Sequence, residues 1–386
     1  MGARRLLPRN VIVLSWVSFF QDAASELLYP VLPLFLTVTL GAPASVVGLV
    51  EGVAEGTASV GKAVSGRLAD RFRRRPLIAA GYGVSSVAKP LIGLASGWPV
   101  VLGARFIDRV GKGLRTSPRD ALIAAETPPA MRGRAFGLHR AADTAGAVVG
   151  PLLGLALYEL LDHRLRPLFF VAAIPAVVSV ALIALVREHP PPPGAARPPG
   201  VPLRRLPRPY ARVVAFLALF GLANFSDALL ILRAHALGLG FVGIVTAYAL
   251  YNAVYAALSY PAGVVSDRLP RRLVFAVGLA AFAVAYLGLG LAGESTWVWP
   301  LFAVYGAYTA LTDGVGRAWV ANLLPPGALG TGLGLYQGVA GACALTAGIW
   351  AGLAWGGTGR VPLLVSGAIV TVLAATLALG GRRLER

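Results

Sequence analysis

The chain has 386 residues, of which 56% are hydrophobic and only 13% charged, and its mean hydropathy is +0.70. That leaves too little polar surface to wrap a water-soluble globule, so lipid is the expected solvent. The formal net charge of +18 does not signal nucleic acid, because the arginines stand in short segments between long apolar runs.

The first apolar run follows Arg4, Arg5 and Arg9, but Gln21, Asp22 and Glu26 interrupt it where the core of a signal peptide would end, so it reads as a retained membrane helix. A span needs ~20 mostly apolar residues. Such stretches fall at 11–38, 44–66, 77–96, 98–118, 136–158 and 167–186, and again at 211–234, 241–264, 273–292, 297–319, 331–355 and 361–381. Between them, 187–209 is rich in proline and arginine and reads as a cytoplasmic linker. The expected organisation is an all-α membrane protein of twelve transmembrane helices, in six-helix bundles over 1–186 and 210–386.

Basic residues set the expected orientation. Arg71, Arg73, Arg74 and Arg75, then Arg132 and Arg134, then Arg204, Arg205 and Arg208, then Arg268, Arg271 and Arg272 occupy alternate loops, while Gly41 to Pro43 and Gly293 to Ser295 carry no positive charge. By the positive-inside rule the arginine loops and both termini face the cytoplasm, in a bacterial-type plasma (inner) membrane.

The halves repeat one another. Gly66-x-x-x-Asp70-Arg71 recurs as Gly263-x-x-x-Asp267-Arg268, and Pro128-Pro129 with Gly137-Leu138 recurs as Pro325-Pro326 with Gly334-Leu335, each pair the same distance apart. Parallel duplication is a common plan of carriers, with the solute site at the repeat interface.

The stretch Gly66 to Arg75 resembles the loop signature between the second and third helices of the major facilitator superfamily, with Arg73 where the family has glycine and Pro270 at that place in the second copy. Arg105 with Gly111 resembles that family's motif B. Gly146-x-x-x-Gly150-Pro151-x-x-Gly154 resembles its antiporter motif, as in bacterial drug/proton antiporters, with Leu155 replacing the final glycine. The resemblance implies the twelve-helix fold and transport of a small molecule by alternating access.

Each motif also has a physical reading. Asp70 and Asp267, beside Arg71, Arg74 and Arg268, would latch helix ends by bonding to arginine or to a neighbouring helix N-terminus, although the arginines alone satisfy topology. Gly146 and Gly150 lie on one helix face and Pro151 permits bending; ordinary small-residue packing is the plainer alternative. His139, Arg140 and Asp143 open the fifth span as a further gating group.

A charge at the centre of a spanning helix costs roughly 2.5–3.5 kcal/mol on insertion scales, so ionisable residues there are candidates for function. Asp22, Glu26, Glu51, Glu55 and Asp108 are candidates for proton coupling. Arg105, Asp108, Lys112 and Arg119 form a stripe on the fourth span, with Arg109 beside it and local ion pairing as the alternative. Arg105, Arg109, Lys112, Asp227 and Asp313 are candidates for the solute cavity; in the family, the helices bearing Asp22, Asp108, Asp227 and Asp313 line that cavity.

The one cysteine, Cys343, allows no internal disulfide, and His139, His163, His189 and His235 lack metal-ligand spacing, so neither metal nor cofactor is expected. Nor is there a nucleophile elbow or phosphate loop to indicate an enzyme. The leading expectation is proton-coupled efflux by a monomeric carrier, and the alternative is a carrier or exchanger of organic anions using Arg105, Arg109 and Lys112.

Overall fold

The computed structural model describes residues 7–29, 31–42, 44–188, 206–356 and 358–380, and these contain no strand. Fourteen α-helices follow one another among them: α1 (Arg9–Leu28), α2 (Val31–Leu34), α3 (Ala44–Arg71), α4 (Arg74–Gly93), α5 (Trp98–Glu126), α6 (Arg132–Leu160), α7 (Leu165–Leu182), α8 (Arg208–Ala223), α9 (Asp227–Ala236), α10 (Phe241–Arg268), α11 (Arg271–Leu291), α12 (Val298–Asn322), α13 (Leu329–Leu353) and α14 (Arg360–Gly380). They make twelve spans, because α2 and the π-helical turn Phe35–Thr39 continue the first and α8 with α9 forms the seventh. Helices are required here because lipid offers no partner to a backbone N–H or C=O.

Seven helical segments among the described residues are long and apolar enough to cross a membrane by length and composition. α3, α4 and α5 fall outside that group, since each carries several charges.

Helix ends differ from the sequence expectation in two ways. α3, α5 and α10 continue beyond 66, 118 and 264 to Arg71, Glu126 and Arg268, where Arg and Glu favour helix once the chain leaves the hydrocarbon. The first and seventh spans are interrupted rather than continuous. α1 ends at Leu28 and α2 begins at Val31. Asn224 and Ser226, whose side chains compete for backbone groups, separate α8 from α9, and Asp227 starts α9 with its charge in the first turn.

Of the segment 187–209, residues 189–205 lie outside the described residues, but its start is anchored. The Glu188 carboxylate accepts the N–H groups of Arg74 at 2.9 Å and Arg75 at 3.0 Å, supplying α4 with the cap that Arg73 lacks. Asn10 meanwhile bonds to both backbone groups of Arg187.

The chain folds as two compact units. The first comprises 1–127, 142–205 and 325–338; the second comprises 128–141, 206–324 and 339–386. The first unit has an apolar core where α1, α4, α5 and α7 meet, with Phe35 against Phe169 at 4.8 Å between ring centroids. The second centres on Phe282, stacked on Tyr286 at 3.8 Å.

The internal repeat reappears as matched contacts. In the first unit, Asp70 accepts the N–H groups of Gly330 at 2.8 Å and Thr331 at 2.6 Å, capping α13. In the second, Asp267 accepts those of Gly133 at 2.8 Å and Arg134 at 3.0 Å, capping α6. A glycine seam beside each cap, Gly66 on Gly330 in one unit and Gly263 on Gly133 in the other, leaves no room for a Cβ.

Candidate functional site

α1 presents Ser18, Asp22 and Glu26 four residues apart on one face. Gly146, Gly150 and Gly154 of α6 let its backbone lie directly on that helix: a Cβ at Gly150 would stand 2.6 Å from the carbonyl oxygen of Ala23, and one at Gly154 2.9 Å from that of Leu27. The antiporter-like stripe is therefore a close-packed seam, and α6 runs unbroken through Pro151. Gly150→Ala is expected to destabilise by about 1–3 kcal/mol through overpacking, read as a lowered unfolding midpoint in detergent. Gly83→Ala, where nothing lies within 4 Å of the added carbon, serves as the unchanged comparison.

The seam brings Asp143 of α6 against α1. The Ser18 hydroxyl donates to Asp143, and Asp22, one turn further along α1, lies close enough to Asp143 for the two carboxyl groups to act on each other. Two carboxylates brought this close repel one another, and a proton shared between them relieves the repulsion. The cation acting most strongly on Asp22 and on Glu26 is Lys112, rather than Arg105 or Arg109.

Those arginines have nearer acids. Arg105 lies 3.5 Å from Asp108, one turn along its own helix, and Arg109 lies 3.3 Å from Glu55 and 3.8 Å from Asp108. Lys89 of α4, only 3% exposed, approaches Asp108 at 3.9 Å. A cavity of about 20 Å³ lined by Ser25, Lys89, Arg105 and Asp108 adjoins the group, enough for about one water molecule. Glu51 lies on α3, but its side chain falls outside those described.

Deeper along α5 is a network that the sequence reading did not single out. Asp120 is fully buried, 3.1 Å from Arg119, and accepts from the Gln337 amide of α13 at 2.8 Å. Arg119 also donates to Ser18 at 3.2 Å and to the Tyr82 hydroxyl at 3.3 Å, while Arg115 donates to Ser85 at 2.6 Å and sits over the Tyr82 ring. Hydrogen bonds thus run within one unit from Asp143 through Ser18, Arg119 and Asp120 to Gln337. The available signal was the charge spacing continuing past residue 118 through Arg119 and Asp120, where the span was expected to end. Ser18, Tyr82 and Gln337 carry no such signal.

In the second unit, Asp313 accepts from Tyr255 at 2.6 Å and pairs with Arg140 at 2.8 Å and Arg317 at 3.2 Å. Asp227 accepts from Tyr305 at 2.6 Å. The trio His139, Arg140 and Asp143 is divided: Arg140 serves Asp313 and His139 is fully buried in the second unit, whereas Asp143 serves α1 in the first. Among the loop residues, Arg74 donates to the carbonyls of Ala69 and Ala121 at 3.3 Å, while Arg71 and Arg268 are exposed and take no part in the aspartate caps.

A twelve-span helical chain with buried ion pairs inside it and glycine seams between its helices has the construction of a membrane solute carrier. The chain belongs to the major facilitator superfamily: the Major Facilitator Superfamily family model matches residues 14–232. An uncharacterized MFS-type transporter of Methanocaldococcus jannaschii is 33% identical over 91% of this chain and 89% of its own. The multidrug resistance protein MdtH of Photorhabdus laumondii is 31% identical over 41% of this chain and 38% of its own. The human organic anion transporter MFSD10 (TETRAN) shares the fold with a TM-score of 0.80 over 96% of this chain and 100% of that one, at 17% identity. The protein is accordingly a secondary transporter and not an enzyme, with twelve transmembrane helices in two pseudo-symmetric six-helix bundles.

Proposed function

We propose that the chain exports a small solute in exchange for protons, with the Asp22–Asp143 pair as the proton site. The observation that carries this reading is the approach of Asp143 to the Ser18 and Asp22 face of α1 along the α1–α6 glycine seam, with Lys112 as the neighbouring cation. Removing the shared proton would leave two negative charges in contact, which repel unless Lys112 compensates. Adding it back releases Lys112. The proton thus favours one of two arrangements of helices whose glycine contacts permit sliding, which is the coupling that alternating access requires. Similarity to the multidrug resistance protein MdtH over part of the chain supports this reading.

In this reading the caps made by Asp70 and Asp267 release and re-form in each cycle. The repeats 1–186 and 210–386 are the moving halves, joined by 187–209, and arginine-rich loops hold both termini in the cytoplasm of an inner-membrane monomer.

The test is transport in proteoliposomes under an imposed pH gradient, with ethidium as the probe. Asp22→Asn is expected to abolish gradient-driven accumulation while leaving ethidium exchange across the membrane. Undiminished pH-driven transport in that variant would refute the proton site.

The second reading, an organic-anion carrier using Arg105, Arg109 and Lys112, draws on the Asp108 carboxylate being shared by Lys89, Arg105 and Arg109. Uptake of a dicarboxylate that is lost in Arg109→Gln and retained in Asp22→Asn would favour it.

A further inference from the structure

The break in the seventh span surrounds a carboxylate with groups that favour positive charge. Asp227 follows the non-helical stretch Asn224 to Ser226, accepts a hydrogen bond from the Tyr305 hydroxyl at 2.6 Å, and is near enough to Tyr251 to act on it electrostatically. Both tyrosines are buried. Their rings lie 5.1 Å apart, with Tyr308 at 5.2 Å and Tyr286 at 6.0 Å from Tyr305. Asp313, in the same unit, is paired with two arginines; among the described residues no cationic side chain pairs with Asp227.

A second observation points the same way. The Asn224 amide donates to the Tyr308 hydroxyl at 2.9 Å, but its oxygen is buried with no hydrogen-bond partner, and it sits at the C-terminal end of α8. A buried unpaired acceptor is costly unless something comes to satisfy it, and a helix C-terminus carries partial negative charge. Carboxylate, unpaired amide oxygen, aromatic faces and helix end all attract a cation. No cluster of metal-ligating side chains exists among the described residues, and aromatic faces suit an organic cation, whose attraction to such rings reaches ~2 kcal/mol when desolvated. Interrupted helices are also where carriers place polar recognition groups.

We infer that Asp227, Asn224 and the surrounding tyrosines form a subsite for the positively charged group of an organic cation. The Tyr305 hydroxyl holds the carboxylate, and the cation displaces it. The inference rests on the chain being a solute carrier but not on proton coupling, and its test reads binding rather than transport.

The experiment titrates the purified full-length chain with tetraphenylphosphonium and with tetraphenylborate, ions of the same shape and opposite charge, by isothermal calorimetry. Tetraphenylphosphonium is expected to bind, weakened at least ~10-fold in Asp227→Asn, which is the loss of about 1.4 kcal/mol. Asp227→Glu and Tyr305→Phe are expected to keep binding, the first because it retains the charge and the second because it retains the ring. An unfolding midpoint of Asp227→Asn equal to that of the unaltered chain verifies that the loss is local. Equal phosphonium binding in Asp227→Asn, equal binding of both ions, or competition by sodium chloride but not choline chloride would each overturn the assignment. Failure of the proton site would leave these titrations unchanged.

Discussion

Asp120→Ala is expected to be among the most damaging single substitutions in the first unit, destabilising it by about 3–5 kcal/mol. The fully buried carboxylate is 3.1 Å from Arg119 and 2.8 Å from the Gln337 amide. Its removal takes the paired acid from a guanidinium that is only 5% exposed. Hydrogen bonds from Arg119 to Ser18 and Tyr82 supply no opposing charge. Asp120→Asn keeps an acceptor for Gln337 and should lose less. Replacing Arg119 and Asp120 together with apolar residues should recover part of the loss, because the buried guanidinium is then absent. The measurement is apparent unfolding temperature in detergent for the two single variants and the double. A double variant as unstable as the sum of the singles would show that the pair is not coupled.

Asp267→Ala is expected to cost a similar amount in the second unit, and more than Asp70→Ala costs in the first. The two aspartates are repeat equivalents, and each caps a helix N-terminus through two backbone N–H groups. Asp267, whose side chain is 1% exposed, also faces Arg134 and Arg271 at 3.1 Å each. Losing it breaks charge-assisted bonds worth about 1.5–3 kcal/mol apiece and the ion pairs to Arg134 and Arg271 besides. Asp70 has no arginine in an ion pair with it among the described residues, so only the cap is lost. Unfolding temperatures of the two alanine variants, with limited trypsin digestion at the neighbouring arginines, compare the sites. Equal losses would mean that the arginines contribute nothing beyond the cap.

The expected sites differed in how much of them the sequence could express. Asp22 and Asp108 stood out because a charge within an apolar run is visible in one dimension. Their pairings did not, since Asp143, Ser18 and Lys112 come from other helices or other turns, and only packing decides which acid meets which base. Arg105 and Arg109 had Asp108 on their own helix, one turn and one residue away.

What the sequence by itself determined about this protein is whatever depends on counting along the chain: apolar length set the twelve spans, arginine spacing set the expected orientation, and the repeated Gly-x-x-x-Asp-Arg motif revealed the duplication. The tertiary structure decided the rest. It showed that the repeated aspartates cap α13 and α6, that Asp120 is fully buried on Gln337, that the seventh span breaks at Asn224, and that Asp227 is ringed by tyrosines from α10 and α12. Hydropathy is a sum over neighbours in sequence, whereas a hydrogen bond or ion pair needs two groups within a few ångströms, and that proximity comes from helices brought together across long stretches of chain.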